Sequence, residues 1–254
     1  MKRRCCNMNS KYKNVSHVIF DLDGTLLDTE HIYIEALQKV IEFFGGTFKP
    51  EYSMLIAGRI QQDVASTMVE LLNLKVTPDE FSKKYEECSA EKLDGCGFMP
   101  GAEKMVRHLH EHNIPIAVAT SSSQSSYDYK TKSHKDLFDL FHHIVCGGSD
   151  KEVKAGKPAP DIFLLCASRF DDNPPPEKCL VFEDSVNGVK AAIAANMQVI
   201  MIPDLNVPYE SWKLATLRLD SFDYMIPQLF GLPPFSQPPD IRVEAMENKD
   251  EETK

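Results

Sequence analysis

Short apolar runs alternate along this chain with longer segments whose apolar residues recur every three or four positions. Runs rich in β-branched residues are typical of buried strands, and the longer periodic segments are typical of amphipathic helices. Strands are predicted at 17–21, 116–120, 144–146, 179–182, 198–202 and 217–219. Because helical segments separate these strands, the pattern predicts an α/β fold, a Rossmann-like parallel sheet with helices on both faces.

The stretch from 29 to 98 departs from this alternation, because it is helical in pattern and poor in strands. Helices are predicted there at 29–44, with Thr29 as the N-cap, at 60–74 and after Thr77. The pattern therefore indicates a small helical cap domain, 29–98, inserted into a core formed by 15–28 and 99–232. We also expect disordered tails, basic at 1–14 and rich in proline and charge at 233–254.

Composition excludes several classes of partner. The net charge of −10 and the pI near 5.3 argue against broad nucleic-acid binding. No apolar run approaches the ~20 residues of a membrane span, and seven irregularly spaced cysteines favour a reducing compartment. We therefore expect a cytoplasmic protein, a monomer, without nucleic-acid or membrane partners.

Two carboxylates stand where the first predicted strand ends, in the sequence Phe20-Asp21-Leu22-Asp23-Gly24. Side chains alternate along a strand, so Asp21 and Asp23 leave it on the same face. Neighbouring acids repel each other unless a cation lies between them, and Gly24 lets the backbone turn close to a ligand. The pair therefore indicates a cation-dependent phosphate site in which one carboxylate is available as a nucleophile.

Further polar groups stand at the ends of other predicted elements. In an open parallel sheet, ligands bind beyond the carboxyl ends of the strands. Each group also has an ordinary structural explanation, since threonines and acids can cap the following helix and a lysine before a helix is usually solvated. Their shared position and their order favour a single site. The groups are Thr120-Ser121, Lys157, and Glu183-Asp184.

Taken in order, these groups resemble the four motifs of the haloacid dehalogenase-like phosphohydrolases. The matching residues are Asp21-Leu-Asp23-Gly24-Thr25, Thr120-Ser121, Lys157-Pro158 and Glu183-Asp184. The resemblance spans about 16 to 234 and is nearest to the branch that holds pseudouridine-5′-phosphate phosphatase and plant glycerol-phosphate phosphatases. Stretches that are similar to this branch include 99–104, 130–134, 156–163 and 230–233. Thr25 departs from the nearest pseudouridine-phosphate relatives, which more often have leucine there.

The resemblance implies a role for each acid. Asp21 is expected to attack phosphorus and form an aspartyl-phosphate. Asp23 is expected to protonate the leaving oxygen and then to deprotonate the attacking water. Mg²⁺ is the expected cofactor, held by the Asp21 carboxylate, the Asp23 backbone carbonyl and Asp184. Glu183 is expected to bind this ion directly or through a water.

The resemblance also implies how the phosphate is bound. The Thr120 side chain and the Ser121 amide are expected to contact phosphate oxygens, and Lys157 is expected to neutralise the nucleophile and the phosphoryl charge. The cap helices would cover the site. Arg59, between two of these helices, is a candidate for substrate specificity, although a solvated arginine beside a turn explains that position equally well.

The function implied by the resemblance is a Mg²⁺-dependent phosphatase for a small phosphorylated metabolite, with pseudouridine 5′-phosphate as the leading substrate. A glycerol-phosphate or other sugar-phosphate phosphatase is an alternative, and a phosphosugar mutase would use the same phospho-aspartate. A non-hydrolytic phospho-accepting or binding protein also stays open. Receiver domains, for example, place aspartates, a hydroxyl residue and a lysine at strand ends.

Overall fold

A parallel sheet forms the centre of the molecule. The computed structural model describes residues 11–56, 59, 61–203 and 212–236. Its strands are β1 (His17–Phe20), β2 (Ile116–Thr120), β3 (His143–Cys146), β4 (Cys179–Glu183), β5 (Gln198–Met201) and β6 (Leu217–Arg218). Among the described residues they form a six-stranded sheet in the order β3-β2-β1-β4-β5-β6, with parallel pairing throughout. The predicted α/β fold is confirmed.

Helices connect these strands, as the sequence pattern predicts. In the described part of the chain the α-helices are α1 (Glu30–Phe43), α2 (Glu51–Ile56), α3 (Gln61–Leu71), α4 (Pro78–Leu93), α5 (Ala102–Glu111), α6 (Gln124–Thr131), α7 (Lys135–Phe138), α8 (Asp161–Ser168) and α9 (Val186–Ala194). Short 3₁₀ turns lie at Lys132–His134, Pro176–Lys178, Phe222–Tyr224 and Pro227–Phe230.

The sheet buries both of its faces. Val18 and Phe20 point into one hydrophobic cluster and Ile19 points into the other, as the alternation of side chains along a strand requires. Helices α5 and α7 contribute to the first cluster, and α8 and α9 contribute to the second. Because β1 lies between β2 and β4, the residues that follow β1 emerge at the middle of the carboxyl edge of the sheet.

Helices α1 to α4 bury their apolar residues against one another. Leu37 of α1, Met68 of α3 and Phe81 of α4 are fully buried in a third hydrophobic cluster. Two chain segments that run side by side join these helices to the sheet. Leu27 pairs with Phe98 in an antiparallel bridge, and the Asp28 amide donates to the Gly97 carbonyl at 2.9 Å.

Two local features differ from the sequence prediction. Helix α2 lies in a stretch where no helix was predicted, since six residues are too few to show a helical period. Helix α1 begins after Thr29, but the Thr29 hydroxyl makes no capping hydrogen bond. It donates instead to Asp23 Oδ1 at 2.9 Å. Thr29 is therefore the N-cap residue by position, but the expected side-chain cap is absent, because this hydroxyl is directed to the Asp23 carboxylate and does not accept from an amide of α1.

The tails predicted to be disordered lie mostly outside the described residues, since 1–10 and 237–254 are not among them. Gly58 is also outside the described residues. Residues 12–14 of the predicted amino-terminal tail contact the core. The Lys13 amide donates to Gln198 Oε1 at 2.8 Å, and the Tyr12 ring lies 5.2 Å from the Phe230 ring. Of the helices in the described ranges, none has both the length and the apolar character needed to cross a membrane.

Candidate active site

Asp21 follows β1 directly and points to the same side of the sheet as Ile19. Its side chain is 8% exposed, and Lys157 Nζ donates to Asp21 Oδ1 at 2.5 Å. Burial, then the neighbouring carboxylates of Glu183 and Asp23, raise the pKa of Asp21, although the ammonium of Lys157 opposes this change. A carboxyl that is costly to ionise without a cation therefore stands at the centre of the carboxyl edge.

Lys157, which precedes α8, bridges two acids from different strands. Its ammonium donates to Asp21, to Glu183 Oε1 at 2.6 Å and to the Ala119 carbonyl at 3.3 Å. Burial alone would lower the pKa of Lys157, but the charges of Asp21 and Glu183 outweigh burial and raise it. Lys157 is therefore a fixed positive charge beside the Asp21 carboxylate.

Three buried acids form a cluster that suits a metal ion. One carboxylate oxygen from each of Asp21, Glu183 and Asp184 lies within 4.8 Å of the others. Burial, followed by the carboxylates of Glu30, Glu183 and Asp21, raises the pKa of Asp184 well above its ordinary value. A single lysine cannot balance this much negative charge, and hard oxygen donors are the ligands that Mg²⁺ prefers. The residues therefore fit a bound Mg²⁺.

Glu183 is held by the protein on both of its oxygens. Lys157 occupies Oε1, while the amide and the hydroxyl of Ser185 donate to Oε2 at 3.2 Å and 3.0 Å. The same Ser185 hydroxyl caps α9 by accepting from the Gly188 amide at 3.0 Å. Asp184 is held less closely among the described residues, where the Thr25 hydroxyl donates to its Oδ1 at 3.4 Å. Asp184 is thus the more available of the two acids for direct coordination.

Two glycines allow the acids to come this close. Gly24 has φ of +75°, and a Cβ placed on it would stand 2.5 Å from Asp184 Oδ2. A Cβ on Gly188 in α9 would stand 1.9 Å from Glu183 Oε1. Both positions therefore leave room for a carboxylate that any larger residue would displace.

The Asp23 carboxylate has different hydrogen-bond partners from the Asp21 carboxylate. Its carboxylate accepts hydrogen bonds from the Thr29 hydroxyl at 2.9 Å and the Ser122 hydroxyl at 2.9 Å. Lys130 Nζ contacts both oxygens, Oδ1 at 2.7 Å and Oδ2 at 2.6 Å. Burial would raise the pKa of Asp23, but the ammonium of Lys130 and these hydrogen bonds lower it. The two acids thus share a strand end and differ in their partners.

Thr120 is the last residue of β2 and Ser121 follows it, next to the partners of the Asp23 carboxylate. Thr120 is fully buried, and its hydroxyl accepts from the Ser122 amide at 3.1 Å and lies 3.4 Å from Asp23 Oδ2. Ser121 is partly exposed at the same end of the strand. Arg59, by contrast, is exposed, and its guanidinium donates to the Thr67 hydroxyl in α3 at 3.4 Å.

Sequence reasoning missed three residues around Asp23, namely Thr29, Ser122 and Lys130. Thr29 was interpreted only as a helix cap, and no role was predicted for Ser122. Lys130 lies in the stretch 130–134 that resembles the family branch, between the buried residues Tyr127 and Thr131 of α6. A lysine on the buried face of a helix is the signal that could have identified it.

The site residues described above lie in a region that matches a known protein family. The family model described as "haloacid dehalogenase-like hydrolase" matches residues 15–196, which is more than half of the chain. This range includes Asp21, Asp23, Thr120, Lys157 and the acidic pair that ends β4.

Two curated proteins are similar over nearly their whole length. A protein of Drosophila melanogaster named "Probable pseudouridine-5'-phosphatase" is 43% identical over 228 residues, which are 90% of this chain and 99% of that protein. The (DL)-glycerol-3-phosphatase 2 of Arabidopsis thaliana is 40% identical over 225 residues, which are 87% of this chain and 93% of that protein.

A solved structure shares the fold. The β-phosphoglucomutase of Clostridium difficile superposes with a TM-score of 0.70 over 82% of this chain and 92% of that chain, at 24% identity. At this identity the likeness concerns the fold alone.

Proposed function

Since this chain belongs to the haloacid dehalogenase-like hydrolases and is a phosphomonoester hydrolase, we propose that it works through a covalent phosphoryl intermediate on Asp21. One observation carries this proposal. Lys157 lies between Asp21 and Glu183, with Asp184 completing the acidic cluster, while Asp23 is held apart two residues further along the chain. That arrangement supports a nucleophile in a charged phosphate site and a separate acid beside it.

The reaction proceeds in two steps. In the first, Asp21 Oδ attacks phosphorus, the bond from phosphorus to the ester oxygen breaks, and Asp23, in its protonated form, gives its proton to the leaving oxygen. The negative charge of the bound ester would favour that form, against the Lys130 ammonium that lowers the pKa of Asp23 in the free protein. In the second, Asp23 takes a proton from a water, whose oxygen attacks phosphorus and releases inorganic phosphate. The Asp21 carboxylate is then restored and Asp23 is protonated again, so the cycle is closed.

Mg²⁺ would be held by the Asp21 carboxylate, the Asp23 backbone carbonyl and Asp184. When bound, the ion supplies positive charge that brings phosphate and carboxylate together. Glu183, whose oxygens are occupied by Lys157 and Ser185, would orient a water of the ion rather than bind it through both oxygens.

Phosphate oxygens would be bound on the opposite side of Asp21. The Thr120 hydroxyl and the Ser121 amide, both at the end of β2, would donate to them, and Lys157 would balance the negative charge. Thr120 already lies within 3.4 Å of Asp23 Oδ2, which supports its place near the leaving group.

The cap would be formed by residues 29–98 and the core by 15–28 and 99–232. Asp28-Thr29 and Met99-Pro100-Gly101, next to the paired residues Leu27 and Phe98, would be the two hinges. Closure of such a cap would exclude bulk water during phosphoryl transfer, and its opening would admit the substrate. Arg59 remains a candidate for recognising the rest of the substrate.

Pseudouridine 5′-phosphate is the substrate that we propose first. The similarity to the Drosophila melanogaster protein supports it, while the nearly equal similarity to the glycerol phosphatase of Arabidopsis thaliana favours glycerol 3-phosphate as the second candidate. A phosphosugar mutase is supported only by a shared fold. A phospho-accepting protein without turnover would hold its phosphate on Asp21 and release none.

A panel of phosphomonoesters tests this proposal. Purified protein with Mg²⁺ should release phosphate from p-nitrophenyl phosphate and fastest from one natural ester, with pseudouridine 5′-phosphate, glycerol 3-phosphate and a hexose 1-phosphate included. EDTA should stop the release. Formation of hexose 6-phosphate would instead identify a mutase, and phosphate release that survives EDTA would contradict the metal-dependent mechanism.

A further inference from the structure

Lys130 is a fully buried lysine that lies outside the four family motifs. It lies in α6 with 0% of its side chain exposed. Its ammonium contacts Asp23 Oδ1 at 2.7 Å, Asp23 Oδ2 at 2.6 Å, Ser122 Oγ at 2.6 Å and the Tyr33 hydroxyl at 3.1 Å. Burying an ammonium is costly unless its partners compensate for the lost water. Such a residue needs an explanation beyond filling the core.

The partners of Lys130 account for all of its protons. An ammonium has three N–H donors, and Asp23, Ser122 and Tyr33 supply three acceptor groups. In this arrangement no donor is left over for a substrate. Lys130 therefore acts on Asp23 and not on the phosphate ester.

Lys130 also joins the core to the helical segment, which is formed by α1 to α4. Tyr33 lies in α1, and its backbone carbonyl accepts from the Tyr85 hydroxyl of α4 at 3.3 Å. Burial and the Asp23 carboxylate raise the pKa of Tyr33 to about 12. The Tyr33 hydroxyl thus stays neutral and can accept from Lys130.

Asp23 in turn is fixed from three directions. Lys130 comes from α6, the Ser122 hydroxyl from the turn after β2, and the Thr29 hydroxyl from the residue before α1. Two of these groups belong to the sheet side of the molecule, and Thr29 and Tyr33 stand at the start of the helical segment. The orientation of Asp23 therefore depends on how that segment sits.

We propose that Lys130 is a positioning residue, which holds the Asp23 carboxylate in the orientation for proton transfer and ties that orientation to α1 through Tyr33. This inference rests on the proposed role of Asp23. Because proton transfer by Asp23 assists both steps, loss of Lys130 weakens departure of a poor leaving group and also slows hydrolysis of phospho-Asp21. Formation of phospho-Asp21 from an ester whose leaving group needs no proton is spared.

The test compares Lys130→Met with Lys132→Met, its matched control. Lys132 stands two residues on and is exposed, so its loss should change nothing. Two substrates are used with Mg²⁺: p-nitrophenyl phosphate, whose nitrophenolate leaves without a proton, and whichever of glycerol 3-phosphate and pseudouridine 5′-phosphate the wild type hydrolyses faster. Rapid-mixing measurements separate the first turnover from the steady state.

For Lys130→Met we expect kcat on the natural ester to fall by roughly 10²-fold, within the usual contribution of general acid–base catalysis. On p-nitrophenyl phosphate we expect a burst of one nitrophenolate per protein at the wild-type rate, followed by a slow steady state. Equal losses in the burst rate and on the natural ester would overturn the inference, as would unchanged kcat on both.

A variant that keeps the lysine guards against failure to fold. Ser122→Ala removes one hydrogen bond to Asp23 and one acceptor of Lys130, and leaves both charges paired. It should lower kcat on the natural ester more than the burst rate on p-nitrophenyl phosphate, as Lys130→Met does, but by a smaller factor. Equal losses in both quantities would contradict the inference. Failure of the proposed function looks different, because the wild type itself would then release phosphate from neither substrate.

Discussion

Asp21 and Asp23 show how far single residues could be interpreted from the sequence. Their spacing and the glycine that follows predicted two acids on one face of a strand end, and both acids follow β1, which ends at Phe20. The family resemblance predicted Lys157 as the partner of Asp21, from 136 residues away. It did not predict Lys130, which contacts Asp23 from 107 residues away. Alternation along a strand is a local property, whereas the choice between two lysines is decided by packing.

Asp21→Asn should abolish phosphate release while the protein stays folded. An amide cannot serve as the nucleophile, so we expect kcat to fall on the order of 10⁴-fold or more. Loss of a buried carboxyl that is costly to ionise should leave the melting temperature unchanged or raise it in metal-free buffer. Steady-state kinetics and thermal melting, measured on one preparation, check both parts; a variant that turns over normally would remove Asp21 from the mechanism.

Asp23→Asn should slow catalysis without preventing metal binding. The variant keeps the backbone carbonyl proposed as a ligand and loses only the proton-transfer group, so we expect kcat to fall by ~10²–10⁴-fold. Titration with Mg²⁺, followed by the rise in melting temperature, should give a curve close to that of the wild type. If this rise disappears, the division of roles between the two acids is wrong.

At the scale of the elements, the sequence placed the strands well and the side-chain contacts between elements poorly. The bounds of β2 agree with the prediction because a fully buried strand gives an unbroken apolar run. Helix α2 was missed, and the Thr29 hydroxyl, expected to accept from an amide of α1, donates to Asp23 instead. Both depend on contacts that a local pattern does not contain.

Gly188→Ala tests how closely α9 packs on the acid of β4. Alanine normally stabilises a helix by about 1 kcal/mol relative to glycine. Here its Cβ would stand 1.9 Å from Glu183, which Lys157 and Ser185 hold in place. We expect the overpacking to dominate, so the free energy of unfolding should fall by about 1–3 kcal/mol, and activity should fall with it.

Chemical denaturation of Gly188→Ala beside Gly97→Ala measures this effect. Among the described residues no atom lies within 4 Å of a Cβ built on Gly97, so that control should be nearly neutral. A Gly188→Ala variant as stable and active as the control would mean that Glu183 moves freely.

At the scale of the whole molecule, the order of strands explains why scattered motifs form one site. Because β1 lies between β2 and β4, the polar groups that end these three strands converge at one edge. The motif order along the chain predicted this convergence through the rule for parallel sheets. The distances among the acids and the partners of the Asp23 carboxylate could be learned only from the structure.

The stability of the whole molecule should depend on Mg²⁺ and on pH together. Folding raises the pKa of Asp21 from its ordinary value of 3.8, and that of Asp184 rises as well. A carboxyl with a raised pKa keeps its proton in the folded state, so the contribution of Asp21 to stability is complete below about pH 4 and is lost progressively as pH rises to its folded pKa of about 8. Mg²⁺ needs the ionised carboxylates and must displace these protons.

We therefore expect the rise in melting temperature caused by a fixed Mg²⁺ concentration to grow as pH increases from 6 to 8. At a concentration of about 100 times Kd, the gain in unfolding free energy is about 2.7 kcal/mol. Melting curves with Mg²⁺ and with EDTA across this range give the comparison. A shift that is independent of pH would contradict competition between the ion and protons.

The central claim is that Asp21 carries the phosphoryl group, and trapping that group tests it most directly. Asp23→Asn is mixed with p-nitrophenyl phosphate and Mg²⁺, quenched in acid and analysed by mass spectrometry of its peptides. Because the first step with this ester needs no proton and the second step lacks its base, we predict phosphate on the peptide that contains Asp21. We predict none when Asp21→Asn is combined with Asp23→Asn. Phosphate bound to any other residue, or hydrolysis that continues in the double variant, would contradict the account.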